Sequence, residues 1–237
     1  MNPQEIASFY AKDLQPLQAL LGYYYKDITL LQSALLHPSC FRHEPSPLPF
    51  KTHFQRLEFL GDRFLSATLG AKLFELFPNE REGFLSKAYM ILSQECTLVK
   101  LAEHLELRKY LQVDQPEIAN SILADAVEAI IGSLWLDSDY LTASERILSW
   151  FGDIRSWVLS ELKTANPKGQ LQELLGERFH ELHYELFDTW GPEHKRQFRC
   201  AVYLNEALLA DGEGFSRQSA EESAAQKALG ILKQARH

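Results

Sequence analysis

The chain has 237 residues, 46% of them hydrophobic and 24% charged, with a formal net charge of −8. That length suits one large domain or two small ones, and the composition is that of an ordinary globular protein. Residues 1–164 carry 15 basic and 21 acidic side chains, and residues 165–237 carry 9 and 11, so neither part is a basic domain. Any nucleic-acid binding must then use local clusters instead of a global field.

No apolar run is long enough to span a bilayer. The start, Met1-Asn2-Pro3-Gln4-Glu5, lacks the basic and apolar regions of a signal peptide. Cys40, Cys96 and Cys200 are odd in number and far apart, which predicts free thiols in a reducing, cytoplasmic compartment. No spacing fits a zinc site.

The first part reads as helix after helix. Pro38, Pro45, Pro47 and Pro49 mark an irregular connection. A helix is expected over about 54–77, with Leu57, Leu60, Phe64 and Ala71 on its core side, ended by Pro78-Asn79. Gly83 opens the next element, where Leu92, Leu98, Leu101, Ala102 and Leu105 keep helical spacing. Leu123, Val127, Ile130 and Leu134 form another helical stripe. A further helix near 142–163 is expected to bury Ile147, Trp150, Phe151, Ile154, Trp157 and Val158. The stretch Thr164-Ala165-Asn166-Pro167-Lys168-Gly169 reads as a linker.

After it the pattern changes. Residues 170–179 are helical in spacing. Tyr184, Leu186 and Trp190 sit at even spacing, as do Phe198, Cys200, Val202 and Leu204, which is strand alternation. Asn205-Glu206 suits a turn into a third strand near 207–212, and residues 219–233 form an alanine-rich helix.

Two short runs carry the chemistry. Residues 56–62 read Arg-Leu-Glu-Phe-Leu-Gly-Asp, and residues 123–128 read Leu-Ala-Asp-Ala-Val-Glu. Glu58 and Asp62 are four apart, and Asp125 and Glu128 three apart, so each pair shares one helix face. Taken singly, each acid reads as surface charge on an amphipathic helix. Four acids among leucines, alanines and isoleucines would repel and resist ionising unless a cation were present. A divalent metal site resolves this, and oxygen-only ligands favour Mg²⁺ or Mn²⁺.

The first run, continued through Phe64-Leu65, resembles the signature of ribonuclease III. The second resembles that family's other catalytic helix, down to Ala129-Ile130-Ile131-Gly132. The order helix, three strands, helix after the linker resembles a double-stranded RNA-binding domain. Leu171-Gln172-Glu173-Leu174-Leu175, Gly191-Pro192-Glu193-His194-Lys195 and Gly212-Glu213-Gly214 with Ser216-Arg217 support it.

This resemblance implies an all-α endonuclease domain over 1–163, a linker over 164–168 and an α-β-β-β-α RNA-binding domain over 169–237. It implies a homodimer through the nuclease domain that cuts double-stranded RNA, leaving 5′-phosphate and 3′-hydroxyl ends with short 3′ overhangs. Precursor ribosomal and other structured RNAs are the expected substrates. Glu58, Asp62, Asp125 and Glu128 are the expected Mg²⁺ ligands, with Mn²⁺ able to substitute. Asp62 is expected to position the attacking water, and Glu128 to bridge if two ions act. Glu82 matches a position where an acid also faces the groove, although a glutamate at a helix start is favoured by the macrodipole anyway. Gln172, Glu173, His194, Lys195, Arg196, Arg217 and Gln218 are the expected RNA contacts. Neither a membrane nor a small-molecule organic cofactor is expected.

His37, before Pro38-Ser39, reads as a structural histidine, and the tryptophans read as core. Two positions depart from the family. Gln55 stands where an acid commonly precedes the signature arginine, which predicts altered substrate grip or dimer contact. Arg217-Gln218 stands where the RNA-binding helix usually opens with two lysines, which predicts weaker affinity and a flatter salt dependence. An RNA-binding protein that has lost cleavage would not need all four acids. A hydrolase of small phosphate esters would leave the C-terminal module unexplained.

Overall fold

The computed structural model describes residue 9 and residues 11–41, 53–164, 166–192 and 195–234. Pro45, Pro47 and Pro49, the first five residues, Ala165, Glu193 and His194 lie outside these. The chain divides into two compact units, Met1–Arg155 and Ser156–His237.

The first unit is helical. Helix α1 spans Gln15–Leu21, α2 Ile28–Ala34, α3 Phe54–Leu76, α4 Glu82–Ser93, α5 Glu95–His104, α6 Asn120–Asp137 and α7 Tyr140–Phe151; α8, Ile154–Thr164, runs across the division. Helices α3 and α6 form the centre. Helix α6 is apolar nearly all round: Leu123, Ala126, Val127, Ala129, Ile130, Ile131 and Leu134 are buried, as expected of a helix packed on several sides. Leu57, Leu65, Leu69 and Leu73 of α3 are equally buried. Each such side chain removed from water contributes roughly 1.5–3 kcal/mol.

The C-terminus of α6 is fixed by a buried acid. Asp137 accepts from the Tyr23 hydroxyl at 2.8 Å and from the backbone N–H groups of Lys26 at 2.7 Å and Asp27 at 2.9 Å. Tyr25 bonds Ser133 at 2.8 Å one turn earlier. Asp27 then caps α2 by accepting from Thr29 N–H at 3.0 Å. One short polar segment thus starts α2 and holds α6.

The structure corrects several sequence expectations. Ala71 is exposed, and Gly61, Thr68 and Leu69 lie on the buried side of α3. The run after Gly83 is two helices, because Gln94 is extended (ψ 150°) and begins α5. The expected helix near 142–163 is likewise two. Gly152 takes φ 63°, a conformation open to glycine, and stops α7. His37 is half-buried; its Nδ1 accepts from the Ser39 N–H at 3.2 Å and its ring meets Phe54 edge-on. Cys40 and Cys200 are buried free thiols and Cys96 is an exposed one. Among the described residues, no helix is long and apolar enough to cross a membrane.

The second unit has α9 at Pro167–Leu175, strands β1 Leu182–Trp190, β2 Gln197–Leu204 and β3 Ala207–Gly214, and α10 at Arg217–Gln234. The sheet is antiparallel in the order β1-β2-β3. Asn166 caps α9 by accepting from Gly169 N–H at 3.0 Å, with Pro167 at the first helical position. Pro167 and Lys168, read from sequence as linker, are therefore its first turn. The core joins Leu171 and Val202 to Ala210, Ala224, Ala225, Ala228 and Leu229.

Two glycines explain the motif before α10. A Cβ on Gly212 would meet Ala224 N at 2.2 Å, and one on Gly214 would meet Ala220 N at 2.7 Å. Only glycines let the alanine face of α10 lie this close to β3. Strand β1 shifts register between Leu186 and Asp188. That bulge breaks the even spacing read from Tyr184 to Trp190 and leaves Trp190 36% exposed, not in the core.

Candidate metal centre and nucleic-acid interface

The two acidic runs meet because two glycines let their helices touch. A Cβ added to Gly61 would lie 1.7 Å from the Glu128 carbonyl oxygen, and one added to Gly132 would lie 2.1 Å from that of Leu57. Helices α3 and α6 therefore cross backbone to backbone at these residues. Glu58 lies one turn before Gly61 and Glu128 one turn before Gly132, so the crossing carries both into one place.

Carboxylate oxygens of Glu58, Asp125 and Glu128 all lie within 4.8 Å of one another, each side chain half-buried. Burial pushes the Glu128 pKa up to about 7, helped by the charges of Asp62, Asp125 and Glu58, while Arg63 opposes the rise. Burial, then Asp125 and Asp62, raises that of Glu58. Burial, then Glu95, raises that of Asp125. All three acids are held where ionisation is resisted.

Asp62 stands apart from this trio. Its carboxylate pairs with the Arg63 guanidinium at 2.7 Å, although its charge still acts on Glu58 and Glu128. Glu82 is the first residue of α4, is exposed, and accepts from the Ser86 hydroxyl at 2.6 Å; it is outside the trio. Sequence reasoning missed two participants. Arg63 directly follows the signature and tempers the cluster's charge. Glu95, in the first turn of α5, faces Asp125 electrostatically, and no spacing in the sequence links the two. Its neighbourhood depends on the break at Gln94.

In the second unit, Gln172 and Glu173 are exposed on α9, and Glu173 pairs with Lys163 at 3.1 Å. Lys195 and Arg196 are exposed between β1 and β2. Gly191 starts that connection at φ 91°, where a Cβ would meet the Lys195 carbonyl oxygen at 2.7 Å. At the start of α10, Arg217 pairs with Glu221 at 2.8 Å and Gln218 donates to Glu222 at 2.9 Å. Glu221 is also bound by Lys168 of α9. His194 lies outside the described residues.

Comparison with known proteins agrees with this architecture. Residues 27–153 match the family described as Ribonuclease-III-like, and residues 167–232 match the double-stranded RNA binding motif. Ribonuclease 3 of Pseudomonas putida (strain W619) is 39% identical over 225 residues, covering 91% of this chain and 94% of its own. Ribonuclease 3 of Geobacter sulfurreducens is 34% identical over 233 residues, covering 95% and 93%. A structure of the ribonuclease III nuclease domain from Campylobacter jejuni, concerned with a region involved in its dimer formation, aligns with a TM-score of 0.53. It is 32% identical and covers 61% of this chain and 99% of that one. A helical unit with meeting acidic helices, followed by a three-stranded RNA-binding unit, thus has the matching relatives along nearly its whole length: the chain belongs to the ribonuclease III family of endoribonucleases and carries that family's double-stranded RNA-binding domain.

Proposed function

We propose that this chain cuts double-stranded RNA in a Mg²⁺-dependent reaction carried by Glu58, Asp62, Asp125 and Glu128. The observation that carries this reading is the trio of half-buried carboxylates within 4.8 Å, all with raised pKa values. A divalent cation relieves such crowding, and an oxygen-only donor set suits Mg²⁺ or Mn²⁺ better than zinc. When bound, the ion supplies an acidified water and counter-charge for the departing 3′ oxygen. Glu58, Asp125 and Glu128 would hold such an ion from two helices, and Glu128 would be the ligand shared if two ions act. Asp62, steadied by Arg63, accepts a hydrogen bond from the attacking water. Glu82 and Gln55 border the RNA groove.

The reading includes a nuclease domain over 1–163 and, after a short connection, an RNA-binding domain that begins with α9 at Pro167. In that last domain Gln172, Glu173, His194, Lys195, Arg196, Arg217 and Gln218 contact the duplex. The products are 5′-phosphate and 3′-hydroxyl ends with short 3′ overhangs, from precursor ribosomal and other structured RNAs in the cytoplasm. The working form is a homodimer. On this chain its support is Phe59, 67% exposed, and Leu136, 47% exposed. Both line an open cavity of about 460 Å³ with Gln55, Arg56, Leu57 and Leu60. Exposed apolar groups gathered beside a cavity suit a second copy of the same surface.

The test is incubation with long duplex RNA in EDTA, Mg²⁺, Mn²⁺ or Ca²⁺. Mg²⁺ and Mn²⁺ should yield short duplexes with 5′-phosphates, and Ca²⁺ should support binding with little cutting. Full cleavage in EDTA would sink the metal mechanism.

A further inference from the structure

We propose that Trp190 and Phe215 form a stacking site for an unpaired nucleotide of the bound RNA, so that the RNA-binding unit prefers interrupted duplexes over perfect ones. This rests on the reading of that unit as the one that grips the duplex.

Phe215 is 77% exposed and Trp190 36% exposed. The register brings them to one end of the sheet. Trp190 pairs with Gln197, and Gly214, directly before Phe215, pairs with Phe198 one rung away. Strands about 4.8 Å apart leave the two backbones about 10 Å from each other. Gly214 faces α10, since its Cβ would lie 2.2 Å from the Ser219 hydroxyl, and the exposed Phe215 follows it just past the end of β3. Phe198 faces with Gly214, which puts its neighbour Gln197 and the paired Trp190 on the side of the sheet away from α10.

Two cations at this end suit a nucleic-acid strand. Lys195 and Arg196 lie in the connection that follows Trp190, exposed and without an ion-pair partner among the described residues. Arg217, two residues after Phe215 at the head of α10, is already paired with Glu221. The nearby carboxylates of Asp211 and Glu213 are both met by Arg199, at 2.8 and 3.4 Å. Exposed rings set among cations are how proteins hold single-stranded nucleotides, since every base offers a π-face. A perfect A-form duplex hides its bases and gives these rings nothing to stack on. A bulge or loop does.

The probes are a blunt RNA duplex of about 16 bp, the span of one such domain, and the same duplex with one bulged adenosine. Binding is measured with the full-length protein in EDTA, where the RNA stays intact. Wild type should bind the bulged RNA about tenfold more tightly, within the range of one base–aromatic stack. Phe215→Ala and Trp190→Ala should each lower that preference and leave blunt-duplex affinity and the thermal midpoint unchanged. Phe215→Tyr and Trp190→Phe should restore it. Equal affinity of wild type for the two RNAs would overturn the proposal. So would equal weakening of both RNAs by the alanine variants, or no effect on either, which would leave the rings to a protein partner. Failure of wild type to bind even the blunt duplex would overturn the RNA-gripping reading itself, and the stacking site with it.

Discussion

Glu128 shows what one residue's surroundings can do. Its carboxyl rests near pH 7 when folded, against an ordinary value of 4.5, chiefly through burial. Between those values the folded chain binds more protons than the unfolded one, so this group's contribution falls as pH rises from about 4.5 to about 7. In EDTA, the thermal midpoint of wild type relative to Glu128→Gln should therefore drop across that window. A relative rise, or no change, measured by calorimetry would contradict the assignment. The four acids and their pairing were legible because helical spacing is written in the sequence. The state of Asp62 was not, since its pairing with Arg63 depends on which way a side chain turns. Glu95 was hidden for the same reason at longer range. Trp190 was misread because a bulge is a backbone event that no even spacing announces.

Between elements, the decisive contact is the α3–α6 crossing. An alanine at Gly132 must displace the Leu57 carbonyl, a backbone atom that cannot turn aside. Gly132→Ala should cost about 1–3 kcal/mol or more, as overpacked cores do, and should also weaken the stabilisation conferred by Mg²⁺ by parting the acids. Gly70, in the same helix α3, has nothing within 4 Å of its Cβ position. Gly70→Ala should instead stabilise by about 0.5–1 kcal/mol, since helix glycines are entropically costly. Thermal midpoints with and without Mg²⁺ check both; equal effects of the two substitutions would refute the crossing argument. Both glycines of the crossing stand in the sequence motifs, yet only the folded chain shows that they face each other. The helix stops at Gln94 and Gly152 were missed because apolar periodicity carries on through them.

At the scale of the molecule, two units divide the work, each with its own core. Removing residues 165–237 should leave a folded, dimeric nuclease unit that captures duplex RNA poorly and still cuts at low salt. An aggregated fragment, or unchanged RNA affinity, would contradict that division. Phe59→Ala should shift the full-length protein toward monomer in sedimentation at micromolar concentration, and an unmoved dimer would place the interface elsewhere. The α-then-α-β-β-β-α order was legible from the change of period after residue 164. The net charge of −8 alone pointed away from nucleic acid. Arg217 is compensated by Glu221, so the local cation cluster of this unit is Lys195 and Arg196, exposed between β1 and β2.

The most direct test compares wild type with Glu128→Gln on one duplex RNA, reading binding in EDTA and cleavage across a Mg²⁺ titration. The account predicts near-normal folding, dimerisation and binding, with a metal-free thermal midpoint that holds or rises as a repelling charge is removed. It predicts turnover down by about a hundredfold or more, because metal stabilisation of developing charge is worth several kcal/mol and each 1.36 kcal/mol is tenfold in rate. Wild-type cleavage together with an unchanged thermal response to Mg²⁺ would make Glu128 an ordinary helix-surface glutamate and contradict the account.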